Sequence, residues 1–108
     1  MKLSHYPLLL GILALPAMAN EDAAARKLAK DNNCFRCHAI DREKDGPSWS
    51  SIGDKYRQTT EGEAKLLTHL KSAPKIKLRE QGVEEEHKIA KYRDESQLSN
   101  LVRWILAL

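Results

Sequence analysis

The residues of this chain that could do chemistry crowd into one stretch, Cys34-Phe35-Arg36-Cys37-His38. Two thiols separated by two residues and followed at once by an imidazole can hold a metal ion, cycle as a redox disulfide, or anchor a haem. In the third case the thiols add to the two haem vinyl groups and the histidine turns its imidazole to the iron. One helical turn is enough to set Cys34 and Cys37 near two vinyls with His38 beneath the metal. A redox pair of the thioredoxin kind needs βαβ units, and no segment of this sequence alternates like a strand. A zinc site wants a second, closely spaced pair of ligands, whereas His69 and His87 lie far apart. The haem reading is favoured.

Composition points the same way. Beyond the leader described below, the aromatic residues are Phe35, Trp49, Tyr56, Tyr92 and Trp104 only, and 31% of the full chain is charged. A domain this short and this polar is poor in core material and needs an internal body to pack against, which a haem supplies.

The elements that must position the motif read as helices. Asp22 to about Asn33 is rich in Ala, Arg, Lys and Leu, with Asp22 suited to cap, and this run delivers the chain into the cysteines. The Asp45-Gly46-Pro47 segment and the serines after it read as loop, with a helical turn around Ile52 to Tyr56. A second helix is predicted from Thr60, because Thr60 and Glu63 form a capping box ahead of Leu66, Leu67 and Leu70; Pro74 stops it. Residues 73–93 are polar and irregular, a long loop. A third helix runs from about Glu95 to the end, with Asp94 and Gln97 at the N-cap and N3 positions and Leu98, Leu101, Val102 and Ile105 on one face. The expected fold is all-α, three main helices with long loops.

Upstream, Lys2 precedes an apolar run from Leu8 to Leu15 and the small-residue triplet Ala17, Met18, Ala19, the layout of a cleavable secretory signal peptide. The run is too short for a membrane span, which takes roughly 20 apolar residues. Residues 1–19 are therefore expected to be a signal peptide, leaving one domain, 20–108, in the periplasm. Loss of Lys2 takes one from the 18 basic residues, against 15 acidic. That excess is too slight to argue for a nucleic-acid partner.

From Asn33 onward the chain resembles the small bacterial class I cytochromes c. The likeness rests on "CFRCH", then "DGPSW", a middle helix "EAKLLTHLK" and a final helix "LSNLVRWIL". It implies the class I cytochrome c fold, three main helices around one haem c attached through Cys34 and Cys37, with His38 as the proximal iron ligand. It also implies that Pro47 packs against the His38 ring and accepts its Nδ1 hydrogen, leaving Nε2 for iron. Trp49 and Tyr56 read as packing near the haem, Trp49 also as a donor to a propionate. Leu98, Leu101, Trp104 and Ile105 read as core.

The sequence departs from the family in one respect. These cytochromes ordinarily bring a methionine to the second face of the iron from the loop before the last helix, and here the only methionines are Met1 and Met18, both in the leader. His87 occupies the corresponding stretch, and imidazole is a good ligand for iron. It is the expected sixth ligand, although the preceding Glu84, Glu85 and Glu86 would suit a solvated loop. His69, in the middle helix, is expected on the surface. The basic run Lys71, Lys75, Lys77 and Arg79 would suit either a solvated face or the steering of an acidic partner.

The function expected is an exported one-electron carrier with bis-His iron and a relatively low potential, since methionine ligation raises it. Its partners would be donor and acceptor redox proteins met by transient docking, or a larger redox enzyme of which it is a subunit. The alternative is a haem-based sensor of small gases with an open or weakly held sixth site. Catalysis by the chain itself finds no acid, base or cleft to support it.

Overall fold

The structure, a computed structural model, describes residues 4–5, 15–79 and 81–108. The expected leader falls mostly outside them. Four helices follow in order: α1 (Leu15–Asp31), α2 (Trp49–Arg57), α3 (Gly62–Lys71) and α4 (Glu95–Leu106), with a short 3-10 turn at Cys34–Arg36 between the first two. An antiparallel hairpin, β1 (Lys75–Lys77) with β2 (Glu84–Glu86), joins α3 to α4. Among the described residues no helix is long and apolar enough to cross a membrane.

The core lies where α1 crosses α4. Ala25 and Ala29 present almost no side chain, so the helices approach closely enough to seal Leu98, Leu101, Val102 and Ile105, the largest fully buried side chains. Burial of each such side chain stabilises by about 1.5–3 kcal/mol. Trp104 extends the layer and donates its Nε1–H to Asp22 Oδ1 at 2.8 Å, tying the two helices at their polar edge. Asp22 is thus a mid-helix partner of Trp104 and Arg26 instead of an N-cap, because α1 already begins at Leu15.

Two other helix ends differ from the sequence expectation. The Thr60–Glu63 capping box does not form: α3 starts at Gly62 behind Glu61, which is left-handed at φ 58° and makes no side-chain cap bond. Tight packing sets this start, since a Cβ on Gly62 would lie 2.0 Å from the Tyr56 carbonyl oxygen. The expected turn at Ile52 to Tyr56 is a full helix, launched by Ser48, whose hydroxyl accepts from Ser51 N–H at 3.1 Å. The start of α4 does follow expectation, with Asp94 accepting from Gln97 N–H; the Gln97 amide oxygen reaches back one residue further, to Arg93 N–H at 2.6 Å.

The hairpin is the element the sequence did not announce. Its strands are three residues each, too short for alternation to register, and they pair Lys75 with Glu86, Ile76 with Glu85 and Lys77 with Glu84. Opposite charges facing across the ladder favour this register. Gly82, at φ +70°, takes the positive-φ position of the connecting turn.

Candidate functional site

A cavity of about 860 Å³ opens between α2, α3, the hairpin and the cysteine motif. Its size falls within the ~300–1,000 Å³ typical of cofactor sites. Cys34, Cys37, His38, Pro47, Trp49, Tyr56 and His87, the residues singled out in the sequence, all line it.

The motif is wound into a compact turn. Asn33 closes α1 in the left-handed conformation at φ 58°, a role in which Asn is second only to Gly. Cys37 N–H and His38 N–H then both bond to the Cys34 carbonyl, at 3.2 and 3.1 Å. Both cysteines are half-buried free thiols, and burial pushes the Cys34 thiol up against the opposing charge of Lys88. Among the described residues no group of three or more His, Cys, Asp or Glu side chains is placed to hold one metal ion.

His38 is fixed from two sides. Its Nδ1 lies 2.7 Å from the Pro47 carbonyl oxygen. A carbonyl only accepts, so the proton resides on Nδ1 and Nε2 is free to bind a metal. The ring also rests on Gly46, where a Cβ would come within 2.7 Å of Cε1. The Gly46 N–H bond to Cys37 O, 2.8 Å, draws that loop under the imidazole. Burial, opposed by the Pro47 bond, holds the His38 imidazole below its usual value, in the neutral form that ligates.

His87 arrives from the opposite side. Its N–H donates to Pro74 O at 2.8 Å, adding one rung to the hairpin beside the end of α3. The period of two carries on from the strand: Glu84 and Glu86 are exposed, Glu85 and His87 half-buried. The three-carboxylate run therefore does not mark a wholly solvated loop. Glu85 reaches Arg36 of the cysteine motif at 3.6 Å. The His87 Nδ1 lies 2.9 Å from Lys88 O, which again leaves Nε2 free. The centroids of the His38 and His87 rings are 6.4 Å apart.

The expectation for His69 is corrected. It lines the cavity, half-buried, with its ring centroid 4.4 Å from that of His87 and the planes at 64°. It was mistaken for a surface residue because α3 turns the flank between Leu66 and Leu70, both buried, toward the hairpin, a contact no periodicity within the helix reveals. Burial, then the neighbouring His87, lowers its pKa. The basic run Lys71, Lys75, Lys77 and Arg79 is exposed, in keeping with a solvated face. Lys71 pairs with Glu95 at 2.9 Å, Arg79 with Glu43, and Lys75 and Lys77 face Glu86 and Glu84, so its charge is largely answered.

Two residues went unnoticed in the sequence. Asn32 is 5% exposed and fully bonded: its Nδ2 donates to Leu28 O and Lys91 O, both at 3.0 Å, and its Oδ1 accepts from Lys91 N–H at 2.8 Å. It pins the chain leaving His87 to the end of α1, beside the cysteines. Gly46 is the other, readable only as part of a turn.

The cavity fits a haem on its own features. Its walls are mainly apolar, two free thiols stand at one edge, and two imidazoles offer unprotonated Nε2 atoms. Trp49 is 3% exposed and packs edge-on against Phe35 and Trp104, yet its Nε1–H is the one buried side-chain polar atom among the described residues with no partner. A native interior rarely leaves a donor orphaned, and a bound polar group relieves it.

The family model for cytochrome c matches residues 23–108. Among solved structures, the chain is similar to the class 1 cytochrome MtoD from Sideroxydans lithotrophicus ES-1, with 48% identity and a TM-score of 0.72 over 79% of this chain and 92% of that one. It is also similar to wild-type cytochrome c552 from Nitrosomonas europaea, with 24% identity and a TM-score of 0.59 over 77% of this chain and 98% of that one, a likeness of fold. A search of curated proteins finds no match.

Proposed function

Because the chain belongs to the cytochrome c family, in its class I monohaem form, we propose that it is an exported one-electron carrier whose iron is held between His38 and His87. The cofactor is one haem c, covalently attached, and Cys34 and Cys37 are the two thiols available to it. When bound, its iron supplies the redox chemistry by passing between the ferrous and ferric states. The rest falls to the chain's own residues.

One observation carries the ligand assignment: the 6.4 Å between the His38 and His87 centroids, with each Nδ1 committed to a carbonyl. Two imidazoles in line on one ion, each at the ~2.0–2.1 Å usual for a nitrogen on a first-row metal, have their centroids a little over ~6 Å apart. His69 and His87, at 4.4 Å, are too close to be such a pair.

The Pro47 bond fixes the His38 tautomer and raises its basicity, and Lys88 O does the same for His87. Leu66, Leu70, Leu78 and Ile105 exclude water around the cavity, and Trp49 Nε1–H is the donor for a propionate. Tyr56 completes the wall. With nitrogen in place of a thioether sulfur, the potential lies below that of methionine-bearing relatives.

Processing after Ala19 would leave domain 20–108 with Asp22 still in place to hold Trp104 and Arg26. A periplasmic carrier of this kind meets its donor and acceptor redox proteins by transient docking. Lys71 and Arg79 of the basic run are ion-paired with Glu95 and Glu43, which favours the solvated-face reading of that run over steering of an acidic partner.

Optical spectra of the purified holoprotein test the reading. The reduced wild type should be low-spin and indifferent to carbon monoxide, and His87→Ala should become high-spin and bind the gas. A wild type that is already high-spin and takes up carbon monoxide would favour the gas-sensor alternative; a His87→Ala variant with an unchanged spectrum would remove His87 from the iron.

A further inference from the structure

The main chain around His87 is tied down, but among the described residues no hydrogen bond anchors its ring to another element. Glu86, Lys88 and Ile89 around it are exposed, Ile89 at 51%, and the bond from its own Nδ1 goes to the adjacent residue, so that bond travels with the segment instead of anchoring it. The backbone rungs His87 N to Pro74 O and Ala90 N to Leu70 O hold the main chain but leave the ring its side-chain rotation. Among the described residues the aromatic ring packed closest against it is His69, on α3 between the buried Leu66 and Leu70. The contact is edge-to-face at 4.4 Å, close to the spacing aromatic pairs prefer. Neither nitrogen of His69 makes a hydrogen bond among the described residues, so what this side chain offers His87 is a surface.

We propose that His69 is a positioning residue for the sixth ligand: its ring bounds the swing of the His87 imidazole and keeps Nε2 aimed at the iron. The inference rests on the reading of His87 as that ligand. A ligand whose side chain is free to rotate spends part of its time detached, and a neighbour that removes its alternative rotamers lowers that fraction without touching the metal. Outer-shell residues hydrogen-bonded to a ligand typically change metal-site properties 10–100-fold when removed, and a neighbour acting by shape alone is expected at the low end of that range.

The test uses the ferric holoprotein, with cyanide as a competitor for the sixth position. His69→Ala should remain low-spin, bind cyanide about tenfold faster or more, and show an altered electron paramagnetic resonance signature of its axial imidazole pair. His69→Phe, which restores a ring without nitrogens, should return both to the wild-type values. Wild-type cyanide kinetics and an unchanged resonance spectrum in His69→Ala would overturn the proposal, as would a His69→Phe variant that behaves like His69→Ala. High-spin iron in both His69→Ala and His69→Phe would make His69 a ligand itself and overturn it too. His87→Ala, run alongside, separates the two readings: if it is high-spin, failure at His69 leaves the ligand assignment standing, and if it stays low-spin both fall.

Discussion

The Nδ1 of His38 lies 2.7 Å from the carbonyl of Pro47, nine residues on, and across the cavity the Nδ1 of His87 lies 2.9 Å from the carbonyl of Lys88. With their outer nitrogens so occupied, both imidazoles keep Nε2 as the atom available to a metal. Replacing one of them with sulfur should show in the potential. His87→Met is expected to stay low-spin, acquire a sulfur-to-iron charge-transfer band, and raise the reduction potential by more than about 59 mV, a tenfold shift for one electron. Potentiometric titration with optical detection checks it; an equal or lower potential would contradict the assignment.

Gly46 should be as sensitive as a ligand. A Cβ there meets His38 Cε1 at 2.7 Å and Nδ1 at 3.0 Å, so Gly46→Ala must push the ring and lengthen the Pro47 bond. Weakening that bond lowers ligand basicity. The potential should rise, by up to about 59 mV, while the spectrum remains low-spin.

Gly53 tests the helix crossing apart from the site. Its Cβ would lie 2.3 Å from the Ile105 carbonyl oxygen, a backbone atom that cannot move aside alone. Gly53→Ala should cost about 1–3 kcal/mol or more by forcing α2 off α4. Thermal unfolding of the holoprotein should fall by roughly 4–8 °C per kcal/mol for a domain of this size, with the low-temperature spectrum unchanged.

Trp49→Phe keeps a ring between Phe35 and Trp104 and deletes only the buried Nε1–H. If that donor serves the cofactor, the holoprotein should lose about 1 kcal/mol, measured by denaturant unfolding. A stability equal to or above that of the wild type would mean that the N–H is an uncompensated burial.

Acid sensitivity should arise partly at the start of α4. The Asp94 carboxylate accepts from the Ser96 hydroxyl and the Gln97 N–H, which hold its pKa below the usual value, and Lys71, with Tyr92, does the same for Glu95. Groups depressed in the folded state add stability that is fully present above their ordinary carboxylate pKa and lost as pH falls through the folded one. Asp94→Asn should therefore flatten the decline of the melting temperature on acidification from neutral pH. A decline parallel to that of the wild type would assign the acid response elsewhere.

Some of this was legible in the chain because it is local. The Cys34, Cys37 and His38 spacing names the cofactor, since the chemistry of two vinyls and one iron is satisfied within a single turn of backbone. The stripe of Leu98, Leu101, Val102 and Ile105, with Asp94 ahead of it, defines α4 for the same reason. Other features rest on contacts between distant segments and left no periodic trace. Three-residue strands are too short to show alternation, so the hairpin was read as loop. The start of α3 is set by Gly62 meeting the Tyr56 carbonyl, which overrides the capping signal of Thr60 and Glu63.

By itself, the sequence determined the family, the covalent haem and the lack of a methionine after Met18, all matters of residue identity and short spacing. Tertiary structure decided which imidazoles stand together. His69 and His87 are 18 residues apart in the chain yet touch, because the hairpin folds the end of β2 back alongside α3 through the His87 to Pro74 and Ala90 to Leu70 backbone bonds. Ring-to-ring distances follow from how elements pack, and packing is a property of the whole chain that no local window contains.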